Sequence, residues 1–283
     1  MKTLILTYLP LIGAAGLFIG VAAAAFGIGG GLLNVPLVYY LLTSSGVADG
    51  LAFKSALATS MFAMFFTSLS AGAGHYRKRN YIEGAVPWLA AGCVAGAQLG
   101  AFIAVWLPGG TLKLIFGGVL LILAWRMAAG RAPGDGEASA PLRRAAPHAL
   151  IALGFITGAF GAMLGIGGGV LIIPALCLIY AASFHNAVGT SSILIIFTSL
   201  SAFTRFMLAE PPVHLPHSIG YVNWPIAAAL VPGSMIGAAL GVRLMLRVHP
   251  APLRKSFAIL ITLVAMKLLG VFHAIAALMK NGR

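Results

Sequence analysis

Gly-Ile-Gly-Gly-Gly occupies residues 27–31 of this chain, inside an apolar region, and Pro36 follows it. The same five residues return at 165–169, again in an apolar region and again followed by a proline, Pro174. The two copies are 138 residues apart, which is almost half of the 283-residue chain. A motif that recurs at this distance indicates an internal duplication, so we expect two related halves.

Further matches occur in the same order in both halves. Phe53-Lys54-x-Ala56-x-x-Thr59-Ser60 corresponds to Phe184-His185-x-Ala187-x-x-Thr190-Ser191, and Phe-Thr-Ser-Leu-Ser-Ala at 66–71 recurs unchanged at 197–202. Glycines at a spacing of four also correspond, namely Gly92, Gly96 and Gly100 with Gly233, Gly237 and Gly241. Because this spacing is typical of close packing between transmembrane helices, we predict a packing role for these glycines.

The composition is that of a membrane protein. Hydrophobic residues make up 60% of the chain and charged residues 8%, whereas a soluble domain carries about a quarter of its residues as charges. A soluble globular protein and a disordered one are therefore excluded. The net charge of +13 does not indicate a nucleic-acid partner, because the basic residues lie between apolar runs, where they act as topology signals.

Apolar runs predict the helices, at 4–26, 32–43, 52–74, 84–107, 112–129, 148–164, 170–182, 188–208, 223–246 and 256–279. The runs 32–43 and 170–182 are too short to cross a hydrocarbon core of about 30 Å, and each directly follows a glycine cluster. We predict an all-α polytopic membrane protein with about eight full transmembrane helices and two short segments that are glycine-broken or re-entrant.

The polar stretch 130–147 has the composition of a linker. It divides the chain into a first transmembrane repeat, 1–129, and a second, 148–283. The N-terminal run resembles a secretory signal peptide, but its counterpart lies deep in the chain at 148–164, so we expect the run to be retained.

Basic residues predict the orientation of the loops. They gather in 75–82, 130–146 and 246–254, which the positive-inside rule assigns to the cytoplasm. The loop 209–222, which corresponds to the first of these, has little basic charge and is expected outside together with both termini. Equivalent loops that differ in basic charge predict two inverted repeats, an architecture common among secondary transporters.

The triple glycines are the strongest candidates for a binding site. Unpaired backbone is tolerated at membrane depth only where protein buries it or where it lines a wet cavity. We predict helix breaks at Gly29-Gly30-Gly31 and Gly167-Gly168-Gly169. The helix after each break presents N–H donors and a positive dipole end, which favour an anion. Helix packing is the alternative interpretation of these glycines.

Hydroxyl and amide side chains extend the predicted substrate-binding set. Thr59 and Ser60 recur as Thr190 and Ser191 in the helices that follow the breaks. A hydroxyl within a helix also bonds its own backbone, which is the alternative role for these residues. Asn34 follows the first break, but its counterpart is Ile172, so a ligand role for Asn34 would be asymmetric.

Lys54 and His185 occupy matched positions near helix starts, where a cation opposes the helix dipole. Either they meet the anion as gating or coupling residues, or they anchor helix ends at the lipid headgroups. Because histidine changes charge near neutral pH, an anion beside His185 could couple transport to protons.

Carboxylates are scarce and lie away from the centres of the apolar runs. The chain has five acidic residues, Asp49, Glu83, Asp135, Glu137 and Glu210, each at the edge of an apolar run or in a polar stretch. Cation transporters usually keep carboxylates at membrane depth, so this distribution favours an anionic substrate.

With these motifs the whole chain resembles the sulfite exporter TauE/SafE permease family. The family pattern has two repeats, each with a Gly-rich segment running into a proline and a later His-x-Ala-x-x-Thr-Ser stretch. The second half matches this pattern at 165–169, Pro174 and 185–191, whereas Lys54 replaces the histidine in the first half. The resemblance implies a permease for sulfur-containing anions such as sulfite, sulfonates or sulfoacetate.

We therefore expect a secondary transporter of small anions that works by alternating access in the cell membrane, the inner membrane in a bacterium. A membrane-embedded assembly factor is the alternative. A lipid-processing enzyme is disfavoured, because the spans offer hydroxyls and His185 but no carboxylate as a base. We expect no enzymatic activity and no cofactor. We also expect no metal site, since the only cysteines, Cys93 and Cys177, lack a ligand set and are interpreted as packing residues.

Overall fold

The structure is a computed structural model that describes residues 2–128, 146–180, 182–213 and 215–245, together with residues 262 and 266. The described part contains helices and one short hairpin. The helices are α1 (Lys2–Phe26), α2 (Gly31–Ser44), α3 (Asp49–Arg77), α4 (Val86–Trp106), α5 (Gly109–Ala128), α6 (Pro147–Met163), α7 (Gly169–Tyr180), α8 (Phe184–Leu208) and α9 (Trp224–Met245). The hairpin pairs β1 (Ser218–Ile219) with β2 (Val222–Asn223) in antiparallel fashion.

The helices follow the apolar runs of the sequence. Each run in the described part forms one helix whose ends lie within about one turn of the prediction. Among the residues that the structure describes, four helices, α3, α4, α8 and α9, are long and apolar enough to cross a membrane. By contrast, α2 has 14 residues and α7 has 12, which makes both shorter than a hydrocarbon core of about 30 Å. The prediction of an all-α membrane protein is confirmed at this level.

Two predicted segments lie outside the described residues. They are the linker at 130–147, apart from its last two residues, and the final apolar run at 256–279, apart from positions 262 and 266. The basic segment 246–254 and the C-terminus lie outside as well. Within the described part, the hairpin between α8 and α9 is an element that the sequence did not predict.

Helix packing repeats between the two halves. The helices α1 to α4 occur in the same order as α6 to α9, and equivalent helices make equivalent contacts. Thus α1 packs along α9 while α4 packs along α6, and the equivalent helices α3 and α8 pack against each other. In addition, α3 contacts α9, and the helices equivalent to these two, α8 and α4, also contact each other. This is the pattern expected of an internal duplication.

Glycines at a spacing of four make the pairs α4–α6 and α1–α9 close. An added Cβ would overlap a backbone carbonyl oxygen of the facing helix at each of Gly92, Gly96 and Gly100 of α4 and Gly233, Gly237 and Gly241 of α9. Only a hydrogen on Cα allows two helix backbones to approach this closely. The predicted packing role of these glycines is therefore confirmed.

The central helices α3 and α8 run antiparallel. Gly72, near the end of α3, lies against Ile193 and Ile196 in the first half of α8. Thr59, in the first half of α3, is instead bonded to Asn223, which lies beyond the end of α8. Two helices that are equivalent in the repeat therefore point in opposite directions, which inverted repeats require.

Candidate functional site

The two glycine stretches form tight turns, one between α1 and α2 and the other between α6 and α7. Gly30 and Gly168 directly precede α2 and α7, and their φ angles are 85° and 80°. Glycine adopts this region readily because it has no Cβ to clash with the backbone. The predicted helix breaks are present, and the new helices begin at Gly31 and Gly169.

The two turns lie against each other. An added Cβ on Gly31 would overlap the carbonyl oxygen of Gly165, and one on Gly169 would overlap the carbonyl oxygen of Gly27. The first residue of each short helix therefore touches the turn of the opposite half. The contact is reciprocal and brings the starts of α2 and α7 to one place.

The same side chains enclose both turns. Gly29 and Gly167 share two neighbours, Met64 of α3 and Ile195 of α8, which are equivalent residues of the two halves. Every residue of 27–31 and 165–169 is buried. The six glycines predicted to bind substrate, at 29–31 and 167–169, thus lie together in the interior. In the described conformation the surrounding side chains close over them.

Two serines hold the turns from the central helices. Ser60 of α3 donates a hydrogen bond of 3.3 Å to the carbonyl oxygen of Gly165. Ser191 of α8 donates one of 2.6 Å to the carbonyl oxygen of Gly27. Both serines are fully buried. Each central helix therefore bonds the glycine turn of the other half, and Ser60 and Ser191 both lie at these turns.

The neighbouring threonines hold loops instead. The hydroxyl of Thr59 accepts a hydrogen bond of 3.0 Å from the backbone N–H of Asn223 in the hairpin. The hydroxyl of Thr190 accepts an equivalent bond of 3.0 Å from the N–H of Ile82 and donates to the carbonyl of Asn186 at 2.7 Å. In the described conformation Thr59 and Thr190 tie the loops before α9 and α4 to the central helices, one residue away from the serines.

Asn34 is buried without hydrogen bonds. The residue is fully buried, and neither its amide nitrogen nor its amide oxygen has a hydrogen-bond partner among the described residues. An added Cβ on Gly30 would lie 3.6 Å from Nδ2 of Asn34, so the amide sits beside the first turn. Its counterpart, Ile172, is a buried apolar residue, which makes this feature specific to the first half.

Other buried polar atoms also lack a hydrogen-bond partner among the described residues, among them Oγ of Ser55, Oγ of Ser68 and Nε1 of Trp224. None of these residues belongs to the binding site predicted from the sequence. Ser68 belongs to the repeated stretch 66–71, but a repeat does not show which hydroxyl lacks a partner, because an unpaired polar atom is recognised only from its tertiary neighbours. Trp224 also lines a surface cavity of about 510 Å³ at the start of α9, together with His217 and Ser218 of the hairpin.

The predicted gating residues lie one turn away from residues that touch the glycine turns. Lys54 precedes Leu57, which packs on Gly165, and His185 precedes Val188, which packs on Gly27. Lys54 is half-buried, and its Nζ donates a hydrogen bond of 2.6 Å to the carbonyl oxygen of Val105. Because Val105 lies in the last turn of α4, the ammonium group stabilises a helix C-terminus, a role that the sequence did not suggest.

Charged groups are kept from the interior of the described part, where the buried polar residues are asparagine, serine, threonine and one histidine, with no carboxylate. Asp49 begins α3 with its side chain 60% exposed and pairs with Lys113 at 3.2 Å. Cys93 and Cys177 are free and buried, and the described residues contain no cluster of His, Cys, Asp or Glu that could hold a metal. Two helix N-termini therefore meet at a buried point without a nearby anionic side chain, an arrangement that attracts anions.

Comparison with known proteins agrees with this picture of a membrane transporter. A family model described as "Sulfite exporter TauE/SafE" matches residues 12–268. The probable membrane transporter protein YunE of Bacillus subtilis is 26% identical over 91% of this chain and 96% of its own length. A probable membrane transporter protein of Xylella fastidiosa strain Temecula1 is 32% identical over 90% of this chain and 92% of its own.

A third relative, a probable membrane transporter protein of Methanocaldococcus jannaschii, is 29% identical over 88% of the chain and 91% of its own length. No solved structure matches the chain significantly. The family model covers nearly the whole chain, including both glycine turns and both central helices. The chain belongs to the sulfite exporter TauE/SafE family of membrane transporters.

Proposed function

We propose that this protein is a secondary transporter of small anions, with sulfur-containing oxyanions such as sulfite, sulfonates or sulfoacetate as substrates. The observation that carries the proposal is the meeting of two glycine turns, with the starts of α2 and α7, at one buried point. The name of the family supports a sulfur oxyanion as the substrate.

The charge of the substrate follows from the groups around the turns. Each helix N-terminus carries about half a positive charge and N–H groups without an intrahelical acceptor. Among the described residues no buried carboxylate offsets this field. An anion held between the turns would gain from both helices, whereas a cation would meet two positive ends without a counter-charge.

The transport cycle is proposed to be alternating access by inverted repeats in the cell membrane, with both termini external. The antiparallel arrangement of α3 and α8 supports inverted repeats. If two equivalent helices cross a membrane in opposite directions, the halves to which they belong have opposite orientations in that membrane. Rocking of one half against the other would separate Gly31 from Gly165 on one side and Gly169 from Gly27 on the other. The closed turns would then open to each side in succession.

Transport by the purified full-length protein in proteoliposomes tests the function. Vesicles loaded with unlabelled sulfite should accumulate radiolabelled sulfite by counterflow, and 2-hydroxyethanesulfonate or sulfoacetate should compete. Protein-free vesicles control for leak, and lysine serves as a cationic competitor. Counterflow of lysine, without counterflow of any of the three anions, would refute the proposal.

Alanine at the contact between the turns tests the location. Gly31→Ala and Gly169→Ala would force the two turns apart, since the added methyl would overlap the opposite carbonyl. Gly110→Ala is the matched control, because a Cβ at this position in α5 meets no atom within 4 Å. At equal amounts of monodisperse protein, the first two variants should lose sulfite counterflow and the control should keep it. Equal transport by all three would place the site elsewhere.

A further inference from the structure

We propose that Asn34 makes the site selective for anions that carry a hydrogen-bond donor, such as a hydroxyl or a bound proton, over anions that only accept hydrogen bonds. This inference rests on the proposed function and concerns the same site. Its basis is the unpaired carboxamide of Asn34 beside the first glycine turn.

The position of Asn34 directs its side chain to the turn. Asn34 lies in the first turn of α2, and its backbone N–H donates to the carbonyl oxygen of Gly30 at 2.9 Å. Side chains of a helix lean toward the helix N-terminus. The carboxamide therefore points back over the start of α2, in agreement with the short separation between Nδ2 and the Cβ position of Gly30.

A buried amide without partners requires an explanation. Leaving one buried polar group unpaired costs about 1–3 kcal/mol, and Asn34 leaves both its donor and its acceptor unpaired among the described residues. The equivalent position in the second half shows that the fold does not need an amide there, because Ile172 fills it and is buried. A polar ligand that binds when the turns separate would satisfy both atoms.

The two unpaired atoms define the chemistry of that ligand. The amide nitrogen offers hydrogens to an anionic oxygen, as the helix N-terminus does. The amide oxygen, in contrast, accepts a hydrogen bond, so it repels a bare anionic oxygen and attracts an O–H or N–H group. An oxyanion with a hydroxyl or a retained proton matches both atoms, whereas an anion without a donor leaves the amide oxygen unpaired.

Two sulfonates of equal charge and similar size isolate this effect. They are 2-hydroxyethanesulfonate, which has a hydroxyl, and ethanesulfonate, which does not. In proteoliposomes with the full-length protein, 2-hydroxyethanesulfonate should compete with sulfite about tenfold more strongly. In Asn34→Leu this ratio should fall to about one, mainly through weaker competition by 2-hydroxyethanesulfonate. Ile172→Leu, at the equivalent position of the other half, is the matched control and should keep the wild-type ratio.

A third compound keeps the test independent of how well the variant folds. In 2-methoxyethanesulfonate the oxygen remains but its hydrogen is lost, so the wild-type protein should bind it no better than ethanesulfonate. Equal competition by the hydroxyl and methoxy compounds in the wild type, or an unchanged ratio in folded Asn34→Leu, would overturn the inference and leave sulfite transport standing. Failure of sulfite and of all three sulfonates would overturn the proposed function along with it.

Discussion

Oγ of Ser191 lies 2.6 Å from the carbonyl oxygen of Gly27, and this hydrogen bond joins residues 164 positions apart in the chain. The serine belongs to a central helix of the second half, and the glycine begins the turn of the first half. Ser60 and Gly165 form the reciprocal bond at 3.3 Å. These two reciprocal hydrogen bonds thus join the two halves at the glycine turns.

Removal of the hydroxyls of Ser60 and Ser191 should weaken the contact between the two halves. We expect Ser191→Ala to lower the free energy of unfolding by about 1 kcal/mol, because a buried carbonyl loses its partner, and Ser60→Ala to have a smaller effect since its bond is longer. Thermal unfolding of the purified protein in detergent measures both. Thr43→Ala, whose hydroxyl bonds only its own helix, is the control and should change little.

The four-spaced glycines should tolerate no side chain. An added methyl at Gly96 would overlap the carbonyl oxygen of Phe155, so we expect Gly96→Ala to destabilise the protein by about 1–3 kcal/mol. Gly118→Ala in α5, where a Cβ meets no atom within 4 Å, should be neutral or stabilising by up to about 1 kcal/mol. Unfolding in detergent compares the two. A Gly96→Ala protein as stable as Gly118→Ala would contradict the packing of α4 on α6.

Inverted repeats should place equivalent loops on opposite sides of the membrane. Glu83 lies in the loop before α4 and Val213 in the loop before α9, and both are exposed. After Cys93 and Cys177 are replaced by alanine, we expect Val213→Cys to react with an impermeant maleimide in right-side-out vesicles. Glu83→Cys should react only after the membrane is made permeable. Labelling of both positions from the same side would rule out inversion.

Lys54 and His185 should differ in their effect on pH dependence. If His185 couples anion binding to a proton, His185→Gln should flatten the dependence of sulfite transport on internal pH, because the variant lacks the imidazole that would bind the proton. His75 of α3 lies within electrostatic range of His185 and of Lys78, so His75→Gln must be measured alongside. An unchanged profile in His185→Gln would remove that residue from the mechanism.

Lys54→Gln is the complementary variant. The pH profile should survive in it, since the ammonium group of Lys54 binds the end of α4. Loss of this charge at a helix C-terminus should lower stability by about 0.3–1 kcal/mol. A changed affinity for sulfite at unchanged stability would instead favour contact between Lys54 and the anion during transport.

The sequence alone determined the described helices of this protein and their repetition, but not the hairpin before α9. Apolar runs predict the described helices because segments in lipid must satisfy their backbone internally, which leaves length and hydropathy as sufficient signals. Adjacent glycines predict the breaks before Gly31 and Gly169, since three in a row remove both helix propensity and side-chain packing. The repeated Thr-Ser pair also identified Ser60 and Ser191 as equivalent residues.

Only the tertiary structure decided what those residues touch. The hydroxyls of Thr59 and Ser60 are adjacent in sequence, yet one holds a loop and the other a glycine turn, because successive side chains of a helix point about 100° apart. The unpaired amide of Asn34 and the bond from Lys54 to Val105 depend on neighbours distant in the chain. Pattern in a sequence records periodicity and composition, whereas hydrogen-bond partners across helices are fixed by packing, which no local pattern encodes.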